Sequence, residues 1–159
     1  MSTLIGDGGH AVDIAHTVRF ERCVPHHQYF EDDGLKVVIG VNDPRVRARI
    51  SQDLQVADSS WVHPVTQIGP ECSWRHGTHI NYGVSMTRTR IGSHCTLSPG
   101  VTICGDVVIG DRVLVGAGAT LCDRVTIGSD VTIGAGAVVL PEAVVPDGAT
   151  WVGVPARAL

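Results

Sequence analysis

The hydrophobic positions of this chain recur at every sixth residue over most of its length. In each hexad the fifth place is small or β-branched, and the middle places carry Gly, Asp, Pro and Ser. The fifth place and the next aliphatic position are two residues apart, so in an extended strand both side chains point to the same side. The pattern predicts a short strand and a sharp turn in each hexad, stacked as a solenoid around an aliphatic core. The unbroken run of aliphatic positions is Ile91, Leu97, Ile103, Ile109, Val115, Leu121, Ile127, Ile133, Val139 and Val145.

The same repeat starts before residue 91 and is interrupted once. Val62, Ile68, Trp74 and Ile80 lead earlier hexads, whereas residues 86–90 form a hexad of only five residues. A period of six places successive aliphatic residues on different faces of an α-helix, which excludes an amphipathic helix. We therefore expect a mainly β protein in which residues 58–159 form the solenoid and a C-terminal tail.

The first 57 residues have a different pattern, typical of a small α/β segment. Leu4 and Ile5 predict a short strand that enters a glycine turn, and residues 37–41 predict a second, buried strand. Residues 1–57 are thus expected to be a truncated, Rossmann-like α/β segment. Because two strands do not make a stable sheet alone, this segment must pack against the solenoid or a neighbouring subunit.

A helix is predicted directly after the second strand. Asp43 is the candidate N-cap, and Pro44 stands at the first helical position, where a missing N–H costs nothing. We expect the helix to end near Gln55. Its expected apolar face is spaced by four residues and consists of Val46, Ile50 and Leu54.

Composition and charge narrow the class of function. With 43% hydrophobic but only 4% aromatic residues, the core must consist of Val, Ile, Leu and Ala. A net charge of −4 gives no reason to expect nucleic acid or an anionic membrane as a partner. No apolar run approaches the roughly 20 residues of a membrane span. The odd number of cysteines without CxxC spacing argues against a disulfide framework and zinc clusters, so we expect a reduced, cytoplasmic protein.

Three features of the sequence resemble one enzyme superfamily. The hexads at residues 109–113, 115–119 and 133–137, and the ending at 145–157, resemble those of the left-handed parallel β-helix (hexapeptide-repeat) acyltransferases. The start, Ile5-Gly6-Asp7-Gly8-Gly9-His10-Ala11, resembles the branch of sialic-acid O-acetyltransferases and nucleotide-amino-sugar N-acetyltransferases. The resemblance implies about five triangular coils and a homotrimer. It also implies acetyl-CoA as co-substrate, bound between neighbouring β-helices, and a sugar or other small amine or hydroxyl acceptor.

The resemblance also assigns candidate roles to several residues. Arg157 would meet a CoA phosphate, and backbone groups would line the pantetheine channel at Gly116, Ala117, Gly118, Gly134, Ala135 and Gly136. The alternative for these glycines is turn geometry or tight stacking. The N-terminal residues Gly6, Asp7, Gly8, Gly9 and His10 would bind a nucleotide-linked sugar, the alternative being a strand-to-helix turn. Residues 31–34 run directly into the next strand, without the further stretch usual in the branch, which leaves nucleotide binding open.

The five-residue hexad coincides with the expected place of the catalytic base. In this branch a His-Asp pair follows a motif like the one beginning at Asn81, a residue expected to position the acceptor. Counting forward from Asn81 the base position falls on Arg88, and counting back from Ile91 it falls on Thr87. Neither side chain is a usable base. Members of the branch often have a second histidine just before a Leu-Ser-Pro-Gly motif, and in this chain Thr96 occupies that position.

Three interpretations follow for the chemistry. A histidine elsewhere could replace the base, the candidates being His76, His79 and His94, of which His79 and His94 are expected to face outward. Alternatively, proximity and orientation alone could suffice for an amine nucleophile. In the third interpretation the protein binds or assembles without catalysis, and Arg88 and Arg90 bind an anion or a partner. The spacing of the histidines does not match the zinc-binding β-helix group, so no metal is expected.

Overall fold

The predicted solenoid is present in the computed structural model, which describes residues 2–5, 22–24, 36–39, 41–53 and 60–159. Short parallel strands stack on three faces into a left-handed β-helix of about five turns, preceded by a small α/β segment. The predicted fold class is therefore confirmed. The expected boundary at residues 57 and 58 lies outside the described residues.

The strands of the β-helix form three sheets, one for each face. The first face contains β4 (Trp61–Val62), β7 (His79–Ile80), β10 (Thr96–Leu97), β13 (Leu114–Val115), β16 (Thr132–Ile133), β19 (Thr150–Val152) and β20 (Arg157–Ala158). The second contains β5 (Gln67–Ile68), β8 (Ser85–Met86), β11 (Thr102–Ile103), β14 (Thr120–Leu121) and β17 (Val138–Val139). The third contains β6 (Ser73–Trp74), β9 (Thr89–Ile91), β12 (Val107–Ile109), β15 (Thr126–Ile127) and β18 (Val144–Val145). Only β20 pairs antiparallel, with β19, among the described strands.

The core is the tube that the three faces enclose. Aliphatic leaders such as Leu97 and Ile133 have no exposed surface, and neither have the fifth-place residues Cys95 and Val113. Each buried aliphatic side chain of this size contributes roughly 1.5–3 kcal/mol relative to exposure. Alternation along each short strand, with one residue in the tube and the next outside, thus produces a mainly aliphatic core, against which Trp74 and Trp151 pack partly buried.

Between residues 69 and 149, every corner between two faces contains a residue in the left-handed backbone region, where φ is positive. The glycine corner joins the first and second faces at Gly83, Gly100, Gly118 and Gly136. The charged corner joins the second and third faces at Glu71, Arg88, Asp106, Arg124 and Glu142. The groove corner joins the third and first faces at Gly77, His94, Arg112, Asp130 and Gly148. Non-glycine residues adopt this conformation uncommonly, so each position is set by the turn.

The five-residue hexad shortens the charged corner and leaves the core intact. Met86 pairs with Ile103 and Thr89 pairs with Val107. Two residues, Thr87 and Arg88, therefore lie opposite the three residues 104–106. Thr89 is fully buried in the fifth place, and its Oγ1 donates to the carbonyl of Thr87 at 2.9 Å. Since the missing residue comes from the turn, both neighbouring strands keep their register.

The N-terminal segment contains a parallel sheet with one strand that the sequence pattern did not predict. Its order is β2-β1-β3, with β1 at Ser2–Ile5, β2 at Arg22–Val24 and β3 at Lys36–Ile39. β2 has only three residues and begins with a charged one, so it carries no hydrophobic period.

The described part of the chain includes no helix with the length and hydrophobicity that a membrane span requires.

Helix α1 spans Pro44–Asp53 and begins as predicted. The Asp43 carboxylate accepts hydrogen bonds from the backbone N–H groups of Arg45 at 2.8 Å and Val46 at 3.3 Å, which confirms the N-cap. The predicted apolar face is wrong, because Val46 is 47% exposed. The buried face consists instead of Pro44, Arg47, Ala48 and Ser51.

Arg47 replaces the expected apolar contact with a buried guanidinium that binds only carbonyl groups. Its Nε donates to Gly77 O at 2.8 Å, and its Nη2 donates to the carbonyls of His94 and Cys95, both at 2.7 Å. Its Nη1 donates to Val41 O at 2.6 Å. Burial lowers the pKa of Arg47 to about 10, so the side chain stays charged at neutral pH. One residue thereby fixes α1 to two coils of the β-helix.

Replacing Arg47 by Met tests this attachment. We expect the free energy of unfolding to fall by about 3 kcal/mol or more, because hydrogen bonds to a charged group are lost and buried carbonyls are left without a donor. Urea unfolding measures the change. Arg49→Met, on the exposed side of the same helix, is the matched control and should cost less than about 1 kcal/mol. Equal effects of the two substitutions would contradict the role of Arg47.

Candidate functional site

The outward-facing histidine expected at residue 79 is covered. His79 has no exposed surface, and the Trp61 ring lies edge-on to it with 6.3 Å between ring centroids. On the next strand of the first face, Thr96 is also fully buried and its Oγ1 donates to Asn42 O at 2.8 Å. The expectation that His79 faces an open groove is therefore wrong. The N-terminal segment packs against this end of the first face, a contact that the hexad pattern alone cannot show.

His94 is also buried, contrary to expectation, but it borders an open groove. It is 8% exposed, and its Nδ1 has no hydrogen-bond partner in the described part of the chain. The ring lies where a Cβ of Gly77 would be, so that position must be glycine. Burial, together with the nearby His76 and Arg47, lowers the pKa of His94 to about 4. At neutral pH His94 is thus a neutral and weakly basic imidazole.

The groove lies between α1 and the groove corner and has a volume of about 710 Å³. The His76 ring is perpendicular to that of His94, with 4.9 Å between centroids, and is exposed to solvent. Arg112 donates to both carboxylate oxygens of Asp130 at 2.8 and 2.7 Å, and Arg45 binds the same residue. The structure therefore brings His76 and His94 together at this groove, whose lining does not include His79.

Arg88 lies at the charged corner and is paired with a carboxylate. Its Nε is 3.1 Å from Asp106 Oδ1, and this hydrogen bond raises the pKa of Arg88 above its usual value. The guanidinium occupies the space that a Cβ of Gly105 would need. Arg88 is accordingly a permanent cation that can bind or orient an anion but cannot accept a proton.

A recess opens on each side of the shortened corner. One, of about 370 Å³, is lined by residues of β5 and β8 together with Thr87. The other has a volume of about 320 Å³, and we call it the notch. Residues from three successive coils line the notch, namely Glu71, Cys72, Ser73, Arg88, Arg90 and Asp106. The sequence marked this corner by its missing residue, but the carboxylate of Glu71 carried no signal of its own.

Asn81 has a structural hydrogen bond in this fold. It is 4% exposed, and its Nδ2 donates to Leu97 O at 3.0 Å, which joins two successive coils. The proposed contact of Asn81 with an acceptor stays a prediction, because nothing in the geometry tests it.

Turn geometry and stacking account for the candidate glycines. A Cβ at Gly116 would lie 2.5 Å from the backbone N of Ala135, so this position must be glycine. A Cβ at Gly134 would lie 2.8 Å from Val152 Cγ1, so a larger residue there would require the Val152 side chain to move. Gly118 and Gly136 have φ values of 67° and 65° and are exposed, with open space on the side of a missing Cβ.

The remaining candidates differ in how far the structure describes them. Arg157 is exposed on β20 and its Nη1 donates to Ala156 O at 2.7 Å. The glycine turn from Gly6 to His10 lies outside the described residues. No group of three or more His, Cys, Asp or Glu side chains that could hold a metal occurs in the described ranges.

Comparisons with known proteins confirm the resemblance to hexapeptide-repeat acyltransferases. The family described as bacterial transferase hexapeptide (six repeats) matches residues 88–123 and 106–141. No curated protein matches the chain. A structure of perosamine N-acetyltransferase from Caulobacter crescentus, a histidine variant in complex with CoA and GDP-perosamine, has a TM-score of 0.80 at 23% identity and covers 99% of this chain and 96% of that chain.

Two further solved structures have the same fold. WeeI from Acinetobacter baumannii has a TM-score of 0.77 at 20% identity, covering 100% of this chain and 99% of that one. The acetyltransferase domain of PglB from Neisseria gonorrhoeae, in complex with acetyl coenzyme A, has a TM-score of 0.73 at 20% identity, covering 99% and 98%. At identities this low, the structural likeness establishes a common fold and nothing further.

The buried, neutral His94 predicts a loss of stability on the acid side. Its pKa falls from 6.5 to about 4 on folding, so the unfolded chain binds a proton more readily. The stability that His94 contributes is complete above pH 6.5 and decreases as the pH falls towards 4. Urea unfolding at several pH values should show a shallower decrease for His94→Asn, since Asn also tolerates positive φ. An unchanged slope between pH 6.5 and 4 would contradict a buried neutral imidazole.

Proposed function

We propose that this protein transfers an acetyl group from acetyl-CoA to an amine or hydroxyl of a sugar, with a non-standard active site. The observation that carries the proposal is the likeness over nearly the whole chain to acetyltransferases solved with CoA, acetyl coenzyme A and GDP-perosamine. A nucleotide-linked amino sugar is the acceptor class that these structures favour.

The glycine corner offers unbonded backbone donors for the pantetheine arm of CoA. The N–H groups of Ala117 and Ala135 donate to no other described residue, whereas the equivalent N–H groups of Ser93 and Ser129 on the groove corner donate to Asp111 and Asp147. Ala117 and Ala135 are exposed on successive coils. Backbone N–H groups in such a row suit the amide carbonyls of pantetheine. Arg157 would then meet a CoA phosphate.

A homotrimer is part of the proposal, because CoA would lie between neighbouring β-helices. Apolar side chains that a second subunit could cover are exposed on the β-helix, among them Val65 at 68% and Val144 at 69%. Light scattering of the purified protein tests this point through the mass of the assembly.

The second candidate function is a β-helix protein that binds or assembles without catalysis. It is favoured by the ion pair that holds Arg88 to Asp106 and by the complete burial of His79. In that case Arg88 and Arg90 would bind an anion or a partner.

Thiol release separates the two functions. The purified protein is mixed with acetyl-CoA and a panel of amino-sugar nucleotides, and free CoA thiol is followed with time, while calorimetry measures CoA binding. Transfer with any acceptor supports the enzyme. Binding of CoA without turnover favours the second function, and absence of CoA binding refutes the acyltransferase.

A proline substitution tests the glycine corner. Ala117→Pro removes one N–H donor, and Pro99 occupies the equivalent place one coil earlier, so the backbone there accommodates proline. We expect CoA affinity to fall about tenfold, the equivalent of one hydrogen bond of about 1.4 kcal/mol. Pro99→Ala is the matched control and should bind CoA as the unchanged protein does. Unaltered affinity in Ala117→Pro would remove this corner from the proposed CoA site.

A further inference from the structure

The notch at the charged corner exists because one coil is a residue shorter than its neighbours. Thr87 and Arg88 span a corner for which the next coil uses residues 104–106, and the notch opens between the third-face ends of these coils. The recess thus lies at the corner where Thr87 and Arg88 stand opposite three residues of the next coil.

The two carboxylates that line the notch differ in their partners. The Asp106 carboxylate accepts a hydrogen bond from Arg88, which fixes both side chains. Glu71 lies one coil earlier, in the same left-handed conformation with φ 57°, and has no hydrogen bond or ion pair with the described residues. It is exposed at the mouth of the notch. Glu71 is therefore the carboxylate that remains available to a ligand.

The cations of the notch are divided in the same way. Arg88 is held by Asp106, whereas Arg90 is exposed on the outer side of β9 and has no partner among the described residues. An available carboxylate and an available guanidinium on adjacent coils suit a ligand that carries both an amine and an anionic group. A sugar amine linked to a phosphate has this pair of charges.

We propose that Glu71 is the catalytic proton acceptor for an amine bound in the notch, an inference that rests on the proposed acetyl transfer. The bound ammonium first loses one proton to solvent, because a protonated nitrogen has no free electron pair. The neutral amine nitrogen then attacks the thioester carbonyl carbon, a C–N bond forms and the C–S bond breaks. The proton released by the nitrogen passes to the Glu71 carboxylate and from there to the departing CoA thiolate. The product is an amide and free CoA thiol.

This assignment also selects the acceptor. A nitrogen that has attacked a carbonyl is positively charged and loses its proton readily, even to a weak base such as a carboxylate. A sugar hydroxyl needs a stronger base at the moment of attack. Glu71 therefore favours transfer to nitrogen over transfer to oxygen.

Glu71→Gln tests the inference and keeps the size and backbone preference of the side chain. A general base contributes roughly 10²–10⁴-fold, so kcat/KM for an amino-sugar nucleotide should fall about 100-fold or more, with CoA affinity unchanged. Glu142→Gln is the matched control, because Glu142 lies at the same corner with φ 63° and pairs with Arg124, far from the notch. The control should retain full activity.

Chemical rescue distinguishes a proton acceptor from a structural residue. Glu71→Gly suits the positive φ, and added formate should restore part of its activity if the carboxylate accepts the proton. Activity of Glu71→Gln within threefold of the unchanged protein would overturn the inference, as would loss of activity in His76→Asn instead. If the unchanged protein acetylates no amine, the role of Glu71 is overturned too. The acyltransferase function itself is overturned only if the protein also fails to bind CoA.

Discussion

The position of the N-terminal segment on the β-helix depends on the buried guanidinium of Arg47. A charge without a carboxylate partner is costly to bury unless all its donors are used. Here carbonyl groups from the segment itself and from two successive coils accept its hydrogen bonds. These carbonyls would otherwise be buried without hydrogen-bond donors. The guanidinium supplies the donors, and the carbonyls in turn supply acceptors for its N–H groups. The planar fork of arginine suits acceptors that converge from several directions, which lysine could not match.

The consequences of this attachment reach the candidate site. Helix α1 forms one wall of the groove that contains His76 and His94, and Asn42, just before the helix, binds Thr96 on the first face. The buried surroundings that lower the pKa of His94 therefore include parts of the chain that are distant in sequence. The charged corner, by contrast, is built by the β-helix alone, and its properties follow from neighbouring coils.

The sequence predicts the β-helix well because each hexad repeats the same local pattern of strand and turn residues. Strand, turn and core position are read from residues close together, and their sum is the solenoid. The N-cap at Asp43 was also predictable, since capping is local. The expectation that His79 faces an open groove was wrong, and His94 is buried although it lines a groove, because an outward direction does not reveal what packs on the outside. The apolar face of α1 was wrong for a related reason, as no periodicity identifies an arginine whose partners are carbonyls of a different element.

Each coil of the β-helix passes through three faces and pairs with the coils before and after it. The shortened corner shows that one coil can lose a residue without disturbing this pairing. Thr89 takes its place in the tube and the strands above and below stay in register, although a residue is missing beside it. Length can thus vary at a single corner as an independent parameter of shape, without a compensating change elsewhere in the chain. In such a scaffold, the loss of one residue from a corner is enough to create a concave surface. The same operation at another coil would move that surface along the axis in steps of one rung.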